Sequence, residues 1–160
     1  MYRPDGIKTV FRYCFNPIGS IFQNNTKIKS FDELAKFKGS LLRGGMFEGC
    51  TNLQFVSVPY TTASLFNDHV SSYKRILLTG EWSRIPDAFI WGSEKKNLQS
   101  IILESTNPPQ TSVICGFFYG NHTTNFAKIY VPDESLNKYI EAAVWRDYKE
   151  FIHPLSEYQE

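Results

Sequence analysis

Three apolar residues recur at one fixed spacing along this chain: Leu53, Val56 and Val58, then Tyr73, Ile76 and Leu78, then Leu98, Ile101 and Leu103, then Phe126, Ile129 and Val131. The offsets within each set are identical, whereas the steps from Val56 to Ile76, Ile101 and Ile129 are 20, 25 and 28 residues. A short motif of constant spacing separated by stretches of varying length is what a stack of coils produces. Each coil places one short strand in a shared parallel sheet, and extra residues go to its outer side. Side chains alternate along such a strand, so Val56 and Val58 face one way while Phe55 and Ser57 face the other. One coil cannot bury its own apolar edge, and stability comes only from the group.

The residues around the triplets add a second pattern. Met46-Phe47-Glu48-Gly49-Cys50-Thr51-Asn52 precedes Leu53, and Ile85-Pro86-Asp87-Ala88-Phe89-Ile90-Trp91-Gly92 precedes Leu98. Phe47, Cys50, Leu53, Val56, Val58 and Pro59, with Leu42 before them, resemble position by position the variant leucine-rich repeat of the BspA-like group of Bacteroides-type cell-surface proteins. Ile85, Ala88, Phe89, Leu98, Ile101 and Leu103 follow the same pattern, with an insertion where the cysteine would stand. The unit around Tyr73 offers Phe66 and no cysteine, and the last keeps Phe126, Ile129, Val131 and Pro132. The resemblance spans residues 28 to 154. It implies a non-enzymatic binding module that contacts a protein or glycan partner at the cell surface, with no cofactor and no metal. A structural spacer or assembly module of a larger protein is the alternative, and an enzyme of another type is a third class.

The expected fold is therefore an α/β solenoid: a short leucine-rich repeat stack with one parallel sheet, a short N-terminal capping helix and a C-terminal capping helix. All 160 residues form one domain, with residues 1–40 as N-terminal cap, 41–132 as coils and 133–160 as C-terminal cap. Ser30 and Glu33 have the spacing of a capping box, which predicts a helix over Phe31–Phe37 with Gly39 ending it. Val10 to Phe22 reads as a hairpin or half-coil closing the first coil. Pro132, Asp133 and Glu134 suit a helix start, and Leu136, Tyr139, Ile140 and Ala143 fall on one stripe. Trp145, Tyr148 and Ile152 continue the cover up to Pro154. The family's usual tail is similar, and by that likeness the repeats end here. Glu104 to Pro109 reads as a turn, and Val113 to Tyr119 as a long outer side packed inward by Phe117 or Phe118.

The formal net charge is +1, with 17 Lys and Arg scattered rather than clustered. This does not predict nucleic-acid or anionic-membrane binding. No run of apolar residues is long enough to cross a membrane. The first residues lack the apolar core of a secretory signal, so the resemblance to surface proteins and an intracellular home both stay open. Cys14, Cys50 and Cys115 have no metal-site or redox spacing; Cys50 is expected as a small buried filler of a coil corner. His69, His122 and His153 have no partner at metal-binding spacing. Glu81 and Asp87, flanking Trp82, are the only acids beside an aromatic that suggest a site. Gly44-Gly45 reads as a tight bend before Phe47. Asn24 and Asn121 have the spacing of glycan acceptors.

The strand register defines a candidate partner-binding face. With Val56, Ile76, Ile101 and Ile129 inward, one outward column is Phe55, Arg75, Ser100 and Lys128, and the next is Ser57, Leu77, Ile102 and Tyr130. At about 4.8 Å between strands, Leu77, Ile102 and Tyr130 would form an apolar ladder. Such a ladder is either a contact surface, with Tyr130 its anchor and Arg75 and Lys128 its rim, or is covered by another segment.

Overall fold

The computed structural model describes residues 22–31, 47–59, 72–85, 97–111 and 127–159. Among them, six strands form a single sheet: β1 (Ser30–Phe31), β2 (Phe55–Pro59), β3 (Arg75–Thr79), β4 (Ser100–Leu103), β5 (Lys128–Val131) and β6 (Ile152–Pro154). Every neighbouring pair is parallel, and spatial order follows chain order. Val56 pairs with Ile76, Ile76 with Ile101 and Ile101 with Ile129, the register that the constant spacing predicts. Parallel neighbours oblige the chain to return to its starting end between strands. The variable steps between triplets supply that return.

Alternation along the strands accounts for the core. Val56, Val58, Ile76, Leu78, Ile101, Leu103, Ile129 and Val131 are wholly buried, and Leu53, Tyr73 and Leu98 lie buried at the corner three residues before the column. Each fully buried aliphatic side chain of this kind contributes about 1.5–3 kcal/mol relative to exposure. Cys50 is 1% exposed, and its Sγ donates to the Phe22 carbonyl at 2.9 Å. Leu42, Phe66, Asp87, Ala88, Phe89, Phe117, Phe118 and Phe126, like Cys14, Cys115, His69, His122 and the Gly44-Gly45 bend, lie outside the described residues.

The N-terminal helix expected from Ser30 is replaced at its start by a strand. Ser30 pairs with Phe55 and Phe31 with Val56. Phe31 stands in the inward column, Ile28 three residues before it and Phe22 nine before it, as Leu53 and Phe47 stand before Val56; all three are buried. Phe22, Ile28 and Phe31 thus repeat the positions of Phe47, Leu53 and Val56, and the segment went unrecognised because Glu33 stands where the triplet has Val58. The rings of Phe22, Phe31 and Phe47 cluster with centroids 5.1–5.6 Å apart. Burying Phe31 there outweighs a helix cap worth about 0.5–2 kcal/mol. Asn24 and Gly49, each two residues beyond its phenylalanine, both adopt positive φ, 60° and 74°, a conformation that Gly and Asn tolerate best. A Cβ on Gly49 would run into the Asn24 side chain, so the two turns abut directly. The remainder of that helix and residues 1–21 fall outside the description.

At the other end, the sheet continues beyond Pro132. A 3-10 turn at Asp133–Ser135 leads into α1 (Leu136–Glu141). The helix is shorter than its stripe suggested: Tyr139 is wholly buried, Leu136 and Ile140 partly, and Ala143 is exposed. Ala142 is already extended, and Val144 has φ 69°, a strained position for a β-branched residue that costs about 1–3 kcal/mol. It is offset by Trp145, 1% exposed, which meets the Tyr139 ring edge-on at 4.9 Å. The Trp145 indole donates to the Pro109 carbonyl at 3.0 Å and the Tyr139 hydroxyl to the Ser105 carbonyl at 2.9 Å. Burial pushes the Tyr139 phenol well above its ordinary pKa. Ile152, expected as the end of a cover, instead enters the column as β6, paired with Ile129. Pro154 pairs with Val131 on this outer strand, where the lack of an N–H does least harm.

Phe47→Ala and Leu53→Ala should each cost about 2–5 kcal/mol in urea melts, as large-to-small changes in a packed interior do. Losses under about 1 kcal/mol for both would show that this corner is not core. Deleting residues 133–160 removes Tyr139, Trp145 and Ile152 together and should cause aggregation or loss of cooperative unfolding; a monomeric product with an unchanged melting midpoint would contradict the packing described.

Candidate functional site

The outward columns of the sheet fall where the register places them: Phe55, Arg75, Ser100 and Lys128 stand side by side, as do Ser57, Leu77, Ile102 and Tyr130. Their exposure differs from that of an open ladder. Ser57, Ser100, Ile102 and Tyr130 are buried, Phe55, Arg75 and Leu77 half-buried, and Lys128 exposed. Tyr130, the anchor of the ladder were it open, is 7% exposed, which is the covered alternative. Its ring meets Tyr158 edge-on at 5.0 Å and His153 at 5.8 Å.

Residues 155–159 account for the cover of Tyr130. They leave β6 through a 3-10 turn at Leu155–Glu157 and pass back over the sheet. Tyr158, beyond β6 in sequence, touches Tyr130 on β5, and its hydroxyl accepts from Arg75 Nη1 on β3 at 2.8 Å. The Arg75 guanidinium lies 4.2 Å from the centre of the Phe55 ring and 6.0 Å from that of Tyr158, distances at which cation–π attraction is effective. The Phe55–Arg75–Tyr158–Tyr130 contact thus bridges strands β2 to β5. Burial, and then the Tyr158 and Glu157 charges, raise the Tyr130 pKa.

Two polar contacts fasten the same segment. Asp133 lies in the first turn after Pro132, as its acidic character suits, and its carboxylate also accepts from the Ser156 N–H at 2.9 Å. Hydrogen bonds from the Ser156 hydroxyl, and then from its N–H, lower the Asp133 pKa. His153 Nδ1 and Glu157 Oε2 are 3.4 Å apart.

Beside this contact runs a groove of about 1100 Å³ along the N-terminal ends of the strands. Among the described residues, Lys29, Lys74, Arg75 and Lys128 line it against a single acid, Glu150, and Phe55, Phe151 and Tyr158 give it aromatic walls. Lys29, Lys74 and Lys128 are exposed. The local excess of positive charge contrasts with a chain net charge of +1. Sequence reasoning placed Phe55, Arg75, Ser100, Lys128 and Tyr130 on this face, but missed Lys29, Lys74 and Tyr158. The two lysines immediately precede β1 and β3, a signal that required β1 to be recognised as a unit; nothing in the local sequence marks Tyr158.

Glu81 lies elsewhere and is engaged structurally. Its carboxylate accepts from the Thr106 N–H and hydroxyl at 2.9 and 2.8 Å and from the Ser105 hydroxyl at 3.1 Å. These bonds, those from Thr106 first, lower its pKa. Trp82 beside it is buried, its indole donating to the Thr79 carbonyl. Comparison with family models, curated proteins and solved structures finds no match for the chain.

The Asp133–Ser156 contact predicts an acid response of the covering segment. The folded pKa of Asp133 is depressed, so the contact's contribution is present above the ordinary value near 3.8 and disappears as pH falls through the lowered folded value. In an NMR titration the Ser156 amide shift should move with a midpoint below 3.8 and lose that transition in Asp133→Asn. An amide shift indifferent to the substitution would contradict the contact.

Proposed function

We propose that the parallel sheet is the strand layer of a leucine-rich repeat solenoid of the BspA-like kind, and that the chain is a non-enzymatic binding module for a protein or glycan partner at the cell surface. The shared register of the apolar column, together with Phe47, Cys50 and Leu53 in one wholly buried corner, supports the repeat reading. The observation that carries the function is the groove at the strand ends, where, among the described residues, four basic side chains and aromatic walls face one acid. Aromatic faces provide broad contact at little cost in side-chain freedom, and a basic rim guides an anionic ligand. The contact surface is therefore the strand-end groove rather than the apolar ladder. Arg75 and Phe55 form its floor, and Lys29, Lys74 and Lys128 its rim.

The spacer reading has its own support, the burial of Ile102 and Tyr130 within the chain. A glycan and protein array probed with the purified chain and with Lys128→Glu separates the two. A binding module should retain anionic ligands on the array, and the charge reversal should weaken them at least tenfold at low salt and less at high salt, with the melting temperature unchanged. An array without hits, or hits indifferent to Lys128→Glu, would favour the spacer.

A further inference from the structure

The segment on the outward face is itself a peptide with a definite chemistry: Leu155-Ser156-Glu157-Tyr158-Gln159, followed in the sequence by Glu160. It presents one aromatic residue flanked by acids to a face that is basic and aromatic. Among the described residues its polar contacts outside the segment are those to Asp133, His153 and Arg75. The turn at Leu155–Glu157 has no buried residue, Leu155 is 38% exposed, and the Glu157 side chain facing His153 is 62% exposed. Tyr158 supplies the contact with the sheet, against Tyr130 and Arg75. A peptide fastened in this way is exchangeable for another that offers the same groups.

We propose that this face takes an extended acidic, tyrosine-bearing peptide from a partner protein, and that residues 155–159 are its competitor within the chain. The idea rests on the reading of the groove as a binding site and names its ligand class. The tyrosine of the incoming peptide occupies the place of Tyr158, between Arg75 and Tyr130. Its acids lie toward the exposed Lys29 and Lys74, which the groove joins to Arg75. Those lysines precede β1 and β3, two strand spacings or about 10 Å apart, the reach of about three residues of extended chain. A peptide that extends past the tyrosine gains contacts with these lysines as well as those Tyr158 already makes. Displacing the segment frees the Arg75 and Tyr130 surfaces it covers.

Fluorescence anisotropy of a labelled peptide Leu-Ser-Glu-Tyr-Gln-Glu, titrated with the full chain and its variants, tests this. Tyr158→Ala should bind the peptide at least tenfold more tightly than the parent, and Tyr158→Phe, which loses only the hydroxyl contact, should fall between them. Adding Arg75→Ala to Tyr158→Ala should abolish the gain, as should alanine for tyrosine in the peptide. Circular dichroism melts identify any variant that fails to fold, and the Tyr158→Phe comparison then decides. Equal affinity for parent and Tyr158→Ala, or no binding to either, overturns the proposal. If an acidic polysaccharide binds in a manner lost on Lys128→Glu while the peptide does not bind, the groove reading stands and the peptide ligand is wrong. If neither binds, both fall.

Discussion

Equal register between parallel neighbours is the constraint on which the rest of this structure depends. Val56, Ile76, Ile101 and Ile129 are buried because each stands directly beside the next. A slip of one residue in any strand would turn its apolar side chains to the opposite face. The same alignment puts Phe55, Arg75, Ser100 and Lys128 side by side, so one backbone requirement fixes both the core and the surface opposite it. The strand part of the candidate site is thus an outcome of the packing.

The parts of the fold that depend on spacing were legible in the sequence. Four strands, their order and their pairing follow from triplets of identical offset. The strand at Ser30–Phe31 escaped because Glu33 occupies the third position of the triplet and because Ser30 and Glu33 carry a strong local helix signal, which burial of Phe31 overrides at Ser30 and Phe31. The sixth strand was missed for a similar reason. Ile152 has Lys149, not an apolar residue, three positions before it, so β6 does not show the triplet even though it joins the column. In both cases the strand forms because a partner strand and a buried position await it.

Legibility fell further at the site. Register alone identified Phe55, Arg75 and Lys128 as neighbours, but the exposure of Tyr130 depended on where residues 155–159 lie. Their path is set by Asp133, His153 and Arg75, three residues separated by up to 78 positions (from Arg75 to His153), and no periodic pattern encodes such contacts. The turn at Ser105–Pro109 shows the same thing in the core. Its composition marks it as a turn, but not that its carbonyls would receive the Tyr139 hydroxyl and the Trp145 indole. Those two bonds join a turn between strands β4 and β5 to the segment that follows β5.

The thiol of Cys50 lies where two successive turns abut, closed off from solvent and donating to the carbonyl of Phe22 on the preceding unit. Only a thiolate reacts readily with an alkylating reagent, so this sulfur stays inert until the first unit lifts away from the second. The rate at which it is modified then counts those openings without any introduced label. A residue that fills a corner of the core is, in kinetic terms, a clock for the fraying of the sheet at its β1 end.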